Sequence, residues 1–302
     1  MSLIAYLNGR DIPAAEANVY VGDAGFLQGI TISEQLRTFG GVPFQVDAHL
    51  DRLFAAVRWL GWDQVPDRDE LVGAIQRVVT HNWQQLDPLD DLGVTVFVTP
   101  GLYPLYARDD DAHATVCVHT YPLPFRLWAG AYEVGLPLLS STIRQVSPAA
   151  WPSHLKCRSR MHYYLAAKEV RTRDKQATAL LLHEDGCVAE TPTANVIAHF
   201  AGEGLVTPRT NRVLSGVSLA FVRSLATECQ LSFGERDLTP TELADADEIL
   251  LSSTPFALLP VESLDGTCKS CPGPVYRSLL ANWNAKVGFE IAAQALQFQD
   301  RR

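Results

Sequence analysis

His154-Leu155-Lys156-Cys157-Arg158-Ser159-Arg160 contains the first lysine of a 302-residue chain. Only Lys168, Lys175, Lys269 and Lys286 follow it, while arginine is used everywhere else for a permanent positive charge. An amine forms a Schiff base and a guanidinium does not, so Lys156, just ahead of Arg158 and Arg160, is a candidate nucleophile. Neighbouring cations and partial burial both favour the neutral amine that attacks a carbonyl. The local residues fit a surface lysine at a helix start equally well. The decision lies in the rest of the chain.

Outward from this stretch, a helix is expected from about Ser159 to Arg173, with strands before it near Tyr132–Val134 and Ser140–Gln145. Ala179–His183 and Cys187–Glu190 flank Glu184-Asp185-Gly186 and read as a hairpin on an Asp-Gly turn. Asn195–Phe200 and Leu205–Thr207 form a second hairpin. Val213–Ser218 leads into a helix reaching about Cys229, and Glu248–Leu251 is a strand ending in Ser252-Ser253-Thr254.

Nearer the start, Leu3–Leu7, Asn8-Gly9 and Ile12-Pro13 give strand, turn and return. Ile30–Phe39 alternates as a strand. Asp47 stands where an N-cap belongs, ahead of Leu50, Leu53, Phe54, Val57 and Leu60 at helical spacing, which leaves Arg52 off the apolar stripe. A helix over about Glu70–Trp83 and strands at Val94–Val98 and Thr115–His119 complete an α+β pattern. Tyr121-Pro122-Leu123-Pro124 is the expected linker, dividing the chain into residues 1–121 and 122–302.

Forty-seven per cent hydrophobic and 20% charged residues describe an ordinary globular protein. A net charge of -9 argues against nucleic acid or an anionic membrane as the main partner. The start lacks the basic region and apolar run of a signal peptide, and no stretch approaches a membrane span, so a cytoplasmic location is expected. Six scattered cysteines are expected to be reduced thiols. Cys268-Lys269-Ser270-Cys271 is a lone CxxC without a second pair, read as a loop feature, and no metal site is expected.

Singly, Glu190 at a strand end, Arg52 on a helix and Ser253-Thr254 in a turn are ordinary features. Together with Lys156 and the Ser215-Gly216-Val217-Ser218 helix start, they describe a site for pyridoxal 5'-phosphate. That cofactor needs an amine for its aldehyde, an acid for its ring nitrogen and a cradle of backbone N–H groups for its phosphate.

Glu190-x-x-x-x-Asn195-Val196-Ile197, then Leu205-Val206-Thr207, then Leu214-Ser215-Gly216-Val217-Ser218 resembles the signature of the class IV aminotransferases. Two outer positions depart: Ile197 replaces an aromatic residue and Leu219 a basic one. The likeness extends through Leu7-Asn8-Gly9, Gly22-Asp23-x-Gly25, Gly29, His49-Leu50-Asp51-Arg52-Leu53 and Leu251-Ser252-Ser253-Thr254. The resemblance implies the two-domain α+β fold of the fold-type IV enzymes, with a smaller N-terminal and a larger cofactor-binding domain, and a cytoplasmic homodimer. It makes Lys156 the Schiff-base lysine and Glu190 the partner of the ring nitrogen. Arg52, Gly216, Val217, Ser218, Ser253 and Thr254 would hold the rest of the cofactor.

Within the family, Glu34-x-Leu36-Arg37-x-Phe39 looks like the corresponding strand of branched-chain aminotransferases, implying transfer from an L-amino acid to a 2-oxo acid. Pro255 departs from that pattern, since it lacks an N–H for the substrate carboxylate. The D-amino acid aminotransferases trap the carboxylate with arginine where this chain has Thr99–Leu105, which contains none. Aminodeoxychorismate lyases, which eliminate pyruvate, share the Lys156-x-x-x-Arg160 spacing. Arg160 and Arg158 are therefore expected to anchor the substrate carboxylate, with Glu34 and Tyr164 also in the substrate site. Either Tyr163 or Tyr164 could reach the cofactor, the other serving packing.

Overall fold

The computed structural model describes residues 2–62, 65–106 and 113–301. The chain forms two compact units, one made of Met1–Leu123 with Leu155–Ser159, the other of Pro124–His154 with Arg160–Arg302. The first break falls beside the proline-rich linker. The second feature was not legible in the sequence: five residues around Lys156 return to the first unit.

In the first unit, β1 (Ile4–Leu7), β2 (Arg10–Pro13), the single turn α1 (Ala24–Leu27), β3 (Ile32–Phe39), β4 (Val42–Pro43), α2 (Val46–Leu60), α3 (Arg68–Trp83), β5 (Leu92–Thr99) and β6 (Thr115–Pro122) follow in order. The sheet runs β2-β1-β6-β5-β3-β4, with antiparallel pairing throughout. Leu50, Leu53 and Val57 of α2 and Leu71, Ile75 and Val78 of α3 bury against Ile32, Leu36, Val94 and Val96, so the helical apolar stripes meet one face of the sheet. Asp47 is not the N-cap of α2: Gln45, at φ 54°, holds that position and Asp47 lies in the first turn. There it forms an ion pair with Arg68, which also grips Asp51.

The Gly22-Asp23-x-Gly25 motif proves structural. Asp23 is buried and accepts from Gly25 N (2.7 Å), Thr99 Oγ1 (2.9 Å) and Thr115 Oγ1 (2.7 Å), tying α1 to the ends of β5 and β6. A Cβ on Gly25 would lie 2.3 Å from Thr99 Cγ2, which is why glycine stands there.

The second unit contains α4 (Ala131–Val134), β7 (Leu136–Arg144), α5 (Met161–Arg173), β8 (Thr178–Leu182), β9 (Asn195–Phe200), β10 (Gly204–Thr207), α6 (Val217–Glu228), β11 (Phe233–Glu235), α7 (Pro240–Asp245), β12 (Glu248–Ser253), β13 (Ala257–Leu264), β14 (Thr267–Cys268), α8 (Pro274–Val287) and α9 (Ile291–Gln297). Its sheet is mixed, in the order β11-β10-β9-β12-β13-β7-β8, with β14 beside β13. Parallel pairs join β7 to β8 and β13 and β10 to β11, whereas β9 pairs antiparallel with β10 and β12, and β12 with β13. Ala166 and Val170 of α5 pack on Ala179 and Leu181.

Two local expectations are corrected. Tyr132–Val134 is a helical turn, not a strand: Tyr132 is buried and its hydroxyl donates to Phe256 O at 2.8 Å, a tertiary contact that a short apolar run cannot announce. The helix after Lys156 starts at Met161, with Arg160 as N-cap, so Lys156 is not helical.

Candidate active site

Lys156 lies on an extended segment fastened to the start of β3. Ser33 N donates to Lys156 O (2.9 Å), Arg158 N to Thr31 O (2.8 Å), and Cys157 pairs with Ile32 as an antiparallel bridge. Ser159 Oγ donates to Gly29 O at 2.8 Å, and the positive φ of 69° at Gly29, with Ser159 Oγ 3.0 Å from where a Cβ would stand, accounts for the glycine read at that position. The backbone is thus fixed from the Lys156 carbonyl onward, while Leu155 before it packs on the core of the first unit.

Glu34, on the same β3, is fully buried and receives Arg52 Nε at 2.8 Å and Arg52 Nη2 at 2.6 Å, with His49 Nδ1 at 2.7 Å. His49 and Arg52 are three residues apart on α2, so one face of the helix presents both to one carboxylate. Burial would raise the Glu34 pKa, but the Arg52 charge and the hydrogen bonds from Arg52 and His49 outweigh it and hold the group at about 2. Burial pushes His49 down against the pull of Glu34, with the Arg52 and Lys156 charges adding to the depression. The cluster is therefore an Arg52–Glu34 ion pair with a neutral imidazole donating to it. The sequence assigned Glu34 to a substrate and Arg52 to a phosphate; in the structure the two side chains bind each other in a bidentate contact.

In the second unit, the expected hairpin strand Cys187–Glu190 is reduced to a single bridge of Val188 to Leu182, and Glu190 lies just beyond it, where Leu181 N donates to Glu190 O at 3.0 Å. Its side chain is 5% exposed and accepts from Tyr163 Oη (2.6 Å), Gln145 Nε2 (2.6 Å), Asn195 Nδ2 (3.4 Å) and Leu214 N (3.4 Å). Burial, reinforced by the Glu190 charge, drives the Tyr163 phenol well above its ordinary pKa and keeps it a donor. Four converging donors stabilise a buried carboxylate as an anion. An ionised acid is what a protonated ring nitrogen requires.

Asn195 also donates to Leu214 O at 2.8 Å, joining this acid to the turn before α6. A Cβ on Gly216 would approach Asn195 Oδ1 to 2.1 Å, so the close passage of the two chains demands glycine. Gly216 is the N-cap of α6 without a side-chain cap, which leaves the first-turn N–H groups at Val217 and Ser218 facing out of the helix. Ser218 Oγ lies 3.3 Å from Thr254 Oγ1. Backbone donors, a helix dipole and two hydroxyls fit a phosphate. Ser253 differs from Thr254: it donates to Thr193 O at 2.6 Å and so holds the loop after Glu190.

The remaining expected substrate residues are placed differently from one another. Tyr164 is 63% exposed, while Tyr163, one position earlier, turns inward with Ala166 and Val170. Arg160 stacks over the Tyr163 ring, 4.5 Å from its centroid, and donates to Pro192 O. Arg158 is exposed, and its charge acts on His119 and Tyr121. Gln145 and His49 were not singled out by sequence reasoning for these contacts. A glutamine at a strand end carries no signal of its own, whereas the His49-x-x-Arg52 spacing could have revealed the second.

The model of the Amino-transferase class IV family matches residues 31–264, well over half of the chain. Branched-chain-amino-acid aminotransferase-like protein 1 of Arabidopsis thaliana is 29% identical over 281 residues, covering 92% of this chain and 49% of that protein. The chain thus spans about half the length of that relative. D-alanine aminotransferase of Bacillus licheniformis is 26% identical over 276 residues, covering 90% of this chain and 93% of the other. Among solved structures, the branched-chain aminotransferase of the archaeon Thermoproteus uzoniensis with norvaline shares the fold, with a TM-score of 0.84 at 23% identity and 96% of each chain covered. With the family match running from just before β3 to the end of β13, this chain belongs to the class IV aminotransferases.

Proposed function

We propose that the protein is a pyridoxal 5'-phosphate-dependent aminotransferase, moving an amino group between an L-amino acid of the branched-chain kind and a 2-oxo acid. The observation that carries this reading is the buried Glu190 carboxylate with its four donors, beside a glycine-opened helix start. When bound, pyridoxal 5'-phosphate supplies an aldehyde and an electron-accepting ring. Glu190 would hold the proton on the ring nitrogen, and Tyr163 and Gln145 hold Glu190 in place. The N–H groups of Val217 and Ser218, with the Ser218 and Thr254 hydroxyls, would hold the phosphate; Arg52, which the family resemblance assigns to the cofactor, is oriented by Glu34.

Lys156 would hold the cofactor's aldehyde through Nζ, and the same amine would serve as the base for the proton on the substrate's alpha carbon. Its fastening to β3 through its own carbonyl and the residues after it keeps that amine from drifting. A homodimer in the cytoplasm belongs to the same proposal. Reconstitution with the cofactor should give a visible absorbance that a panel of L-amino acids bleaches in a single turnover, with the matching 2-oxo acid as product. Lys156→Ala should lose both the borohydride-fixable cofactor and turnover. Bleaching only by D-amino acids, or pyruvate released from aminodeoxychorismate without amino-group transfer, would replace this reading.

A further inference from the structure

On the sheet of the first unit, α2 and α3 cover one face, where Ile32 and Leu36 of β3, Val94, Val96 and Val98 of β5 and Val116 and Val118 of β6 are buried. Successive strand residues point to opposite faces, so the register gathers a second set on the other face: Gln35 beside Thr95 and His119, and Arg37 beside Gly93 and Tyr121. Ring contacts agree with this. Tyr121 lies across Gly93, where a Cβ would come within 2.2 Å of Cζ, and His119 has Phe97 and Tyr121 as neighbours at 6.4 and 6.5 Å between ring centroids.

The segment carrying Lys156 belongs to the same unit and adds to this sheet at β3. Cys157 stands opposite Ile32 and Leu155 packs on the core, so both take the helix-covered side. Lys156 and Arg158 alternate with them and take the other side, about 7 Å apart along the segment. Arg158 reaches along that face: its charge acts on the His119 imidazole, which burial already lowers, and pulls on the Tyr121 phenol against the upward push of burial. The wall next to the lysine amine is therefore polar, with a neutral imidazole and a protonated phenol near one guanidinium.

Arg37, also on this face, is committed elsewhere: Nη2 lies 3.9 Å from Asp91 Oδ2, Nε donates to Thr38 O at 3.1 Å, and the guanidinium stacks 4.1 Å from the Phe39 centroid. Arg160 is held within the second unit by the Tyr163 ring and Pro192 O. An amino acid whose alpha carbon meets the Lys156 amine carries its carboxylate one bond from that carbon, and a desolvated carboxylate requires charged donors.

We propose that Arg158, and not Arg160, anchors the substrate's alpha-carboxylate, because one extended segment presents the Lys156 amine and the Arg158 guanidinium to the same face of one sheet. The proposal rests on the aminotransferase reading above. A guanidinium grips a carboxylate with two parallel N–H bonds, which neither an amide nor an ammonium reproduces in full.

The test measures binding of 4-methylvalerate, an unreactive acid with a single carboxylate, and of its uncharged amide to the cofactor-loaded protein by titration calorimetry. Arg158→Gln should raise the dissociation constant of the acid by about 10- to 100-fold, the loss expected for a charged hydrogen-bonded contact, and leave the amide unchanged. Arg158→Lys should recover part of the loss. With the reactive amino acid, Arg158→Gln should raise KM far more than it lowers kcat. Circular dichroism and cofactor absorbance, unchanged in both variants, exclude misfolding as the cause. The proposal is overturned by an unaltered constant for the acid, by equal loss of acid and amide, or by a selective loss of the acid in Arg160→Gln that Arg158→Gln does not show. Because binding is read without turnover, wild-type protein that binds the acid through Arg158 yet transfers no amino group would remove the function and leave the anchor standing.

Discussion

Replacing Glu34 by glutamine tests the cluster on β3 and α2 most directly. Burial alone would lift this carboxyl above an ordinary 4.5, yet the Arg52 charge and the Arg52 and His49 hydrogen bonds bring it down to about 2 in the folded chain. At about 1.4 kcal/mol per tenfold change in proton affinity, this difference corresponds to roughly 3 kcal/mol of stability at neutral pH. Removing one partner of a buried pair costs about 3–5 kcal/mol, which is the same range reached from the side of the stranded Arg52. Since the folded pKa is depressed, the contribution is fully present above 4.5 and is lost as pH falls toward about 2. Urea unfolding of wild type and Glu34→Gln at pH 7 and pH 3 should therefore show a gap of roughly 3 kcal/mol that contracts by more than about half at the lower pH. A gap that is absent at pH 7, or one that is undiminished at pH 3, would refute the ion pair as the source of stability.

Glu190→Gln should retain the cofactor but slow turnover by about 10- to 1000-fold, matching the 1–3 pKa units by which a neighbouring opposite charge holds a proton; stopped-flow half-reactions measure it, and an unchanged rate would assign the ring nitrogen to another group. Gly216→Ala drives a methyl to within 2.1 Å of Asn195 Oδ1, so a loss of about 1–3 kcal/mol in unfolding free energy and a weaker phosphate grip are expected. Cofactor titration of this variant against wild type checks the second part, and equal affinity would mean that α6 adapts without disturbing its first turn.

Chemistry could be read from the sequence wherever one residue type answers one need. Lys156 is distinguished by being an amine among guanidiniums, Gly216 by the close passage it permits, and the strand and helix periods of Ile32–Phe39 and Val46–Leu60 by alternation and stripe. These signals are local, and the family signature compounds them into a fold. Tertiary structure alone decided the contacts among residues far apart in the chain. Glu190 takes its donors from Gln145, Tyr163 and Leu214, each of which is 24 to 45 positions away, and nothing in their own neighbourhoods marks them as partners of this carboxylate. The choice of Tyr163 over Tyr164 rests on the roughly 100° that separates successive helix residues, with Ala166 and Val170 fixing which side faces inward. The sequence left Lys156 ahead of a helix expected from about Ser159 and did not say what holds it; Ser33, Thr31 and Gly29 capture its segment through backbone and hydroxyl hydrogen bonds. Such bonds use groups that every residue carries, so the sequence names the amine and only the folded chain says what holds it.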